Sequence, residues 1–264
     1  MGLTTDSEGR RKVSGLLQSA VFGPVDSRRF GRSLGVNPLP AGMKICSFDC
    51  PYCECGPTVH SATGSIVWPT VESILERVLD VVEVEFNAGR AIDTLTLAGN
   101  GEPTRHPNFR DLVQGLSVLR RVFTPIPKLV VLTNGVWLGR GSVRAGLEMA
   151  DEASFKLDAG TPETHHQINQ PAPDFDYDGM VSLLASFPQP VIQAMFVRGR
   201  IDNTRREEVD AWLERIRAIT PKRVDLYSLD RTTPDPSLLR VPPTILQEIA
   251  NRVEEETGTE ARVY

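Results

Sequence analysis

Cys46, Cys50 and Cys53 stand in a C-x3-C-x2-C spacing, and Cys55 follows two residues on, so all four cysteines of this 264-residue chain fall between positions 46 and 55. Thiolate is a soft ligand suited to iron-sulfur clusters and zinc, and a short loop carrying three of them can wrap one metal centre. On a 4Fe-4S cube, three thiolates leave one iron without a protein ligand and open to a small molecule. With Cys55 and His60 as further donors the loop could instead hold a structural zinc, although Cys53 and Cys55 stand closer than zinc-binding pairs usually do. A disulfide framework fits poorly, because the chain is too large for a small stapled scaffold and its polar start lacks an apolar signal core. A ferredoxin-type electron carrier uses four cysteines per cluster on a much shorter chain.

A second set of polar residues follows apolar runs. In Gly99-Asn100-Gly101-Glu102-Pro103 the glycines allow close backbone approach, and the acid can accept hydrogen bonds from an ammonium. The competing reading is an Asn-Gly hairpin turn, which Pro103 and Pro107 disfavour by spoiling the partner strand. Thr133-Asn134-Gly135 is equally a turn or a ligand-binding strand end. Lys156 and Asp158, two apart on a strand, share one face as either a structural ion pair or a ligand clamp. Tyr227 and Arg231 are expected at a later strand end, facing a nucleoside or substrate or serving in packing. Arg28, Arg29 and Arg32 form a basic segment, read as solvated or as a phosphate-binding patch.

Alternating elements must position these groups. Val71, Ile74, Leu75, Val78, Leu79 and Val82 make one apolar helix face, with Thr70 as its N-cap. Strands are expected at 92–98, 128–133, 153–158, 191–197 and 223–228. The run 128–133 is apolar almost throughout, as in a parallel strand covered on both faces. Helices are expected near 108–122, 142–150 and 178–187, then around Val209, Trp212, Leu213 and Ile216, and around Ile245, Leu246, Ile249 and Val253. Counting a first strand at 42–45 gives six βα units, two short of an eight-stranded barrel. Residues 1–21 read as an irregular leader and 22–264 as one core domain.

The composition, 40% hydrophobic and 24% charged, suffices for a full α/β core, and the net charge of −5 implies no general attraction to nucleic acid. No apolar run approaches the ~20 residues needed to span a bilayer. Unpaired cysteines and an oxygen-sensitive cluster point to the cytoplasm.

The cysteine spacing, with Tyr52 directly before the third cysteine, resembles the signature of the radical S-adenosylmethionine (radical SAM) superfamily. The segments 22–37, 156–160, 168–171 and 227–231 resemble the stand-alone group related to the wyosine synthetases that act on tRNA. The resemblance runs from about Phe22 to the C-terminus. It implies a partial (β/α)6 barrel, α/β in class, with a parallel sheet, outer helices and the cluster on the loop after the first strand. It further implies a 4Fe-4S cluster on Cys46, Cys50 and Cys53, whose open iron chelates SAM and whose electron cleaves it to a 5′-deoxyadenosyl radical. The Gly99, Asn100, Gly101, Glu102 segment resembles the superfamily's Gly-Gly-Glu motif for the methionyl amino group, with Asn100 in place of the usual glycine. By the same resemblance Thr133, Asn134, Lys156 and Asp158 are SAM contacts. An external one-electron donor of the flavodoxin or ferredoxin type is implied, with oxidoreductase chemistry on an unassigned substrate. The alternatives are a tRNA base-modifying enzyme and a non-catalytic iron-sulfur or zinc-binding protein. Against tRNA, this chain has neither the flavin domain nor the upstream cluster cysteines of the wyosine enzymes.

Overall fold

The computed structural model describes residues 15–58, 66–231 and 233–264, so His60 and most of the expected leader lie outside the described residues. The contacts gather into two compact units, with divisions inside the cysteine loop and after Ser154.

The unit built from Leu16–Cys46 and Thr58–Ser154 opens with an antiparallel pair, β1 (Val21–Ser27) and β2 (Gly31–Val36). Strand β2 then pairs in parallel with β3 (Thr94–Leu97), and β3 with β4 (Lys128–Thr133). All four residues of β3 are buried, and the polar ones are satisfied locally, because the Ser33 and Thr96 hydroxyls bond at 2.8 Å. Helix α1 (Val71–Asn87) buries Ile74, Val78 and Val82, and Thr70 caps it by accepting from the Ser73 N–H. Helices α2 (Phe109–Leu119) and α3 (Gly141–Glu148) follow the next two strands.

The first parallel strand is a correction. Residues 42–45 do not form a strand; Ile45 makes a single bridge to Gly101, and the strand ahead of the cysteine loop is β2. Its sequence, Gly-Arg-Ser-Leu-Gly-Val, hides it. Gly35 is there for Phe22, its cross-strand partner on β1, whose ring lies 2.1 Å from where a Cβ would stand.

The unit built from Ser47–Pro57 and Phe155–Tyr264 follows the same alternation. The parallel set is β6 (Val191–Gly199), β7 (Arg223–Ser228) and β9 (Ala261–Val263), with β8 (Leu238–Arg240) antiparallel on β6. The division between units falls within β5 (Glu152–Lys156). Helices α5 (Tyr177–Ala185), α6 (Arg206–Ile219) and α7 (Pro243–Thr257) match the apolar periodicity of the sequence. Trp212 is buried on α6 and its indole N–H donates to the Leu157 carbonyl at 2.9 Å.

Helix α4 (Pro162–Asn169) was not expected. Its signal was present: Thr161 caps by accepting from the Thr164 N–H, and Pro162 occupies the first turn. The segment carries few apolar residues, and its start is held from outside. The buried Glu208 carboxylate on α6 accepts from the Gly160 N–H (2.5 Å) and from the Thr161 and Thr164 hydroxyls (2.9 and 2.8 Å). Among the described residues no helix is long and apolar enough to cross a membrane.

Candidate functional site

The cysteine loop is seated by backbone. In the first unit, the Ile45 N–H donates to the Asn100 carbonyl at 2.8 Å, and the Ile45 carbonyl accepts from the Glu102 N–H at 2.9 Å. Gly101 makes this possible, since its φ is +132° and a Cβ there would lie 2.0 Å from the Ile45 oxygen. Gly99 is likewise pressed against Asn37, whose Oδ1 would meet a Cβ at 2.2 Å. The motif after β3 is therefore the edge on which Ile45 and Cys46 rest, and a hairpin turn is excluded by the parallel neighbour β4.

Asn100 explains its own departure from glycine. Fully buried, it accepts from the Leu17 N–H (2.7 Å) and donates to the carbonyls of Leu17 (2.9 Å) and Pro40 (3.2 Å). It ties down the end of the expected leader.

Glu102 is also turned inward, with only 2% of its surface exposed. One carboxylate oxygen accepts from the Thr104 N–H (3.1 Å) and from the Thr104 and Thr133 hydroxyls (both 2.6 Å), and the other accepts from the Asn134 N–H (2.7 Å). Burial pushes its pKa above the usual carboxylate range, and these hydrogen bonds oppose that shift. Asn134, also buried, sends its side-chain N–H toward the Cys46 sulfur at 3.8 Å.

A polar knot occupies the second unit. The Asp158 carboxylate is fully buried and accepts from the Tyr52 hydroxyl, the Asn169 amide (2.7 Å), the Lys156 ammonium (3.4 Å) and the Met195 N–H (2.9 Å). Lys156 also donates to the Tyr52 oxygen at 2.9 Å. Burial opposes the Lys156 charge, but Asp158, with Tyr227 and Cys50 nearby, outweighs it and holds the ammonium above an ordinary lysine. Burial and Asp158 together hold the Tyr52 phenol well above its usual range. Lys156 and Asp158 thus form an internal ion pair, from which only the lysine reaches the surface.

Other predicted residues fall elsewhere. Arg231 pairs with Glu54, so the end of β7 reaches the cysteine loop. Arg32 is neutralised by Glu85 at 2.5 Å, and Arg90 with Arg32 holds that carboxyl at about 2. Arg29 lies over the Phe30 ring at 4.9 Å. Arg32 is thereby withdrawn from the basic segment as a free phosphate contact.

Two residues escaped the sequence reading as site residues. Tyr52 was seen only as a motif aromatic, and Asn169 only as part of Ile168-Asn-Gln-Pro171. Asn169 is fully buried and donates to the Cys50 sulfur (3.4 Å) as well as to Asp158, while its carbonyl accepts from the Asp49 N–H (3.0 Å).

The thiol set suits an iron-sulfur cluster. All four cysteines are half-buried and none is in a disulfide, and Cys46 and Cys50 each have a side-chain amide directed at the sulfur, as thiolate ligands of clusters commonly do. Burial pushes the Cys50 thiol up, a state that binding iron would reverse by removing the proton. Among the described residues no three His, Cys, Asp or Glu side chains are drawn together as a metal site, so the ligand set rests on thiol chemistry and loop spacing.

Comparison with known proteins agrees with this chemistry. Residues 42–210 match the family described as the Radical SAM superfamily. A UPF0026 protein of Synechocystis sp. is 33% identical over 220 residues, 81% of this chain and 77% of that protein. A UPF0026 protein of Helicobacter pylori (strain J99) is 31% identical over 229 residues, 84% and 68% of the two chains. A Brachyspira hyodysenteriae protein named GTPase Obg is 32% identical over 83% of this chain, which spans only 31% of that longer protein. Among solved structures, TYW1 with a bound lysine-pyruvate adduct superposes with a TM-score of 0.63 at 14% identity, covering 86% of this chain and 74% of that one. A radical SAM methyltransferase from Sphaerobacter thermophilus gives 0.64 at 13%, covering 88% and 65%. These likenesses show the fold, α/β with a parallel sheet of the radical SAM type. The chain belongs to the radical SAM superfamily of enzymes and, within it, to the UPF0026 family.

Proposed function

We propose that the protein is a SAM-cleaving iron-sulfur enzyme with Cys46, Cys50 and Cys53 as the ligands of a 4Fe-4S cluster. When bound, that cluster would bind SAM at its open iron and supply the electron that generates a 5′-deoxyadenosyl radical. The observation that carries the reading is the pairing of half-buried thiols outside any disulfide with amide N–H groups, at Cys46 with Asn134 and at Cys50 with Asn169.

The chain's own residues divide into two roles. Gly99 and Gly101 act toward SAM by letting the backbone approach closely, and Asn100, Glu102 and Asp158 by holding the strand-end loops through bonds to protein partners. The Lys156 ammonium is the group offered to the ligand, and it suits a carboxylate or ribose hydroxyl by charge and exposure; Thr133 and Asn134, buried and bonded to Glu102, offer SAM only the hydrogen-bonding capacity left to them at the strand end. Tyr52 keeps its proton and donates it to Asp158, so it orients the lysine and does not compete for it. The electron comes from an external donor of the flavodoxin or ferredoxin type.

The test is anaerobic reconstitution with iron and sulfide, followed by dithionite and SAM. The expected result is about one 4Fe-4S cluster per chain and formation of 5′-deoxyadenosine with methionine. Stoichiometric zinc without iron after anaerobic purification would refute the reading, and so would a cluster-loaded protein that binds SAM without forming 5′-deoxyadenosine.

A further inference from the structure

Asn169 is the last residue of α4, and the chain turns sharply after it, with Gln170 in the left-handed region at φ 45°. This turn presents both ends of Asn169 to the cysteine loop. Its carbonyl accepts from the Asp49 N–H at 3.0 Å and lies 3.7 Å from the Cys50 sulfur. Its side-chain nitrogen lies 3.4 Å from that sulfur and 2.7 Å from Asp158 Oδ2.

The amide cannot be reversed, since its oxygen would then face the Asp158 carboxylate. In the orientation present, Asn169 Oδ1 is buried and meets no donor among the described residues. A buried acceptor left unpaired costs about 1–3 kcal/mol, a cost set against the bonds its N–H groups make to Asp158 and toward the Cys50 sulfur, with the Tyr52 oxygen also 3.4 Å away. What the residue supplies is the N–H.

We propose that Asn169 is a positioning residue for the iron-sulfur centre, and that its N–H, donated to the Cys50 sulfur, raises the reduction potential of the bound cluster. The inference rests on the reading of Cys50 as a cluster ligand. A hydrogen bond to a ligand sulfur stabilises the reduced, more negative cluster, and removing it moves the potential down. Asn169 is fully buried, so water cannot take the place of the lost donor. The effect should favour acceptance of an electron from a weak physiological donor.

The experiment uses the full chain, reconstituted anaerobically, without SAM. An EPR-monitored redox titration of Asn169→Leu, which keeps the volume and removes the donor, is expected to give a midpoint potential more negative than wild type at equal cluster content. Asn169→Gln, which keeps an amide, should recover part of the shift. An unmoved potential in a fully loaded Asn169→Leu protein overturns the inference while leaving the cluster reading intact.

Should the variants fail to hold a cluster, wild type enriched in 15N-asparagine decides the matter by pulsed EPR of the reduced state. Two amide couplings are expected, of which Asn134→Leu removes one. Loss of all nitrogen coupling in Asn134→Leu overturns the role of Asn169. A wild-type chain that takes up no cluster overturns the cluster reading and this inference together.

Discussion

Gly101 stands so close to Ile45 that a Cβ on it would lie 2.0 Å from the Ile45 carbonyl oxygen. Position 101, in the loop after β3, is thereby fixed as glycine by Ile45, the residue before Cys46. Gly101→Ala should cost about 3 kcal/mol, from the strained backbone and the clash together. Urea denaturation should show the loss, and iron uptake at Cys46 should fall with it. An unfolding midpoint equal to wild type would mean that the two segments do not touch.

Cys50→Ala should abolish the cluster, because each of the three ligands holds a different iron. Cys55→Ala should leave iron and sulfide content unchanged. Equal loss of iron in both variants would point to a four-cysteine centre instead.

Glu102→Ala should destabilise the protein by about 3 kcal/mol, because Thr104, Thr133 and the Asn134 N–H lose a charged acceptor in a buried site. The outcome separates a structural carboxylate from a ligand-facing one. Weakened SAM binding by calorimetry with an unchanged thermal midpoint would show that the acid faces SAM after all.

Stability should fall as the pH drops from about 6.5 toward 4, through His165. Its ring is buried against Phe48, Phe175 and Tyr177, and burial, with smaller contributions from His166 and Lys156 against the pull of Asp158, lowers its pKa to about 4. The unfolded chain therefore binds a proton that the folded chain refuses. Above pH 6.5 both states are neutral and nothing is lost; below about 4 both are charged and the loss is complete, at about 3 kcal/mol. Equilibrium unfolding across this range should show His165→Gln with a flatter profile than wild type. Parallel profiles would assign the slope to other groups.

Removing the Glu208 side chain should loosen the start of α4, since Gly160, Thr161 and Thr164 all donate to its carboxylate. Glu208→Ala is expected to increase amide hydrogen exchange across 160–169 before it changes exchange in β7. Unchanged protection at 160–169 would show that the helix is held by other contacts.

Local pattern in the sequence determined the class of this protein and most of its elements. Thiolate spacing at Cys46, Cys50 and Cys53 is a short-range constraint that survives without a fold, and the apolar period of α1 and the run of β4 are likewise written in consecutive residues. What escaped depends on partners far along the chain. Strand β2 is built around Gly35, whose purpose is visible only when Phe22 lies across it. Helix α4 takes its first turn partly from Glu208, more than forty residues on. Glu102, Asn100 and Asp158 each bond to buried protein partners that the local sequence does not show. Asn169 is a further case, an unremarked residue aimed at Cys50 across 119 positions of sequence. Hydrogen-bond direction and burial decide which polar group serves the site and which serves the fold, and both arise only when distant segments are brought into contact.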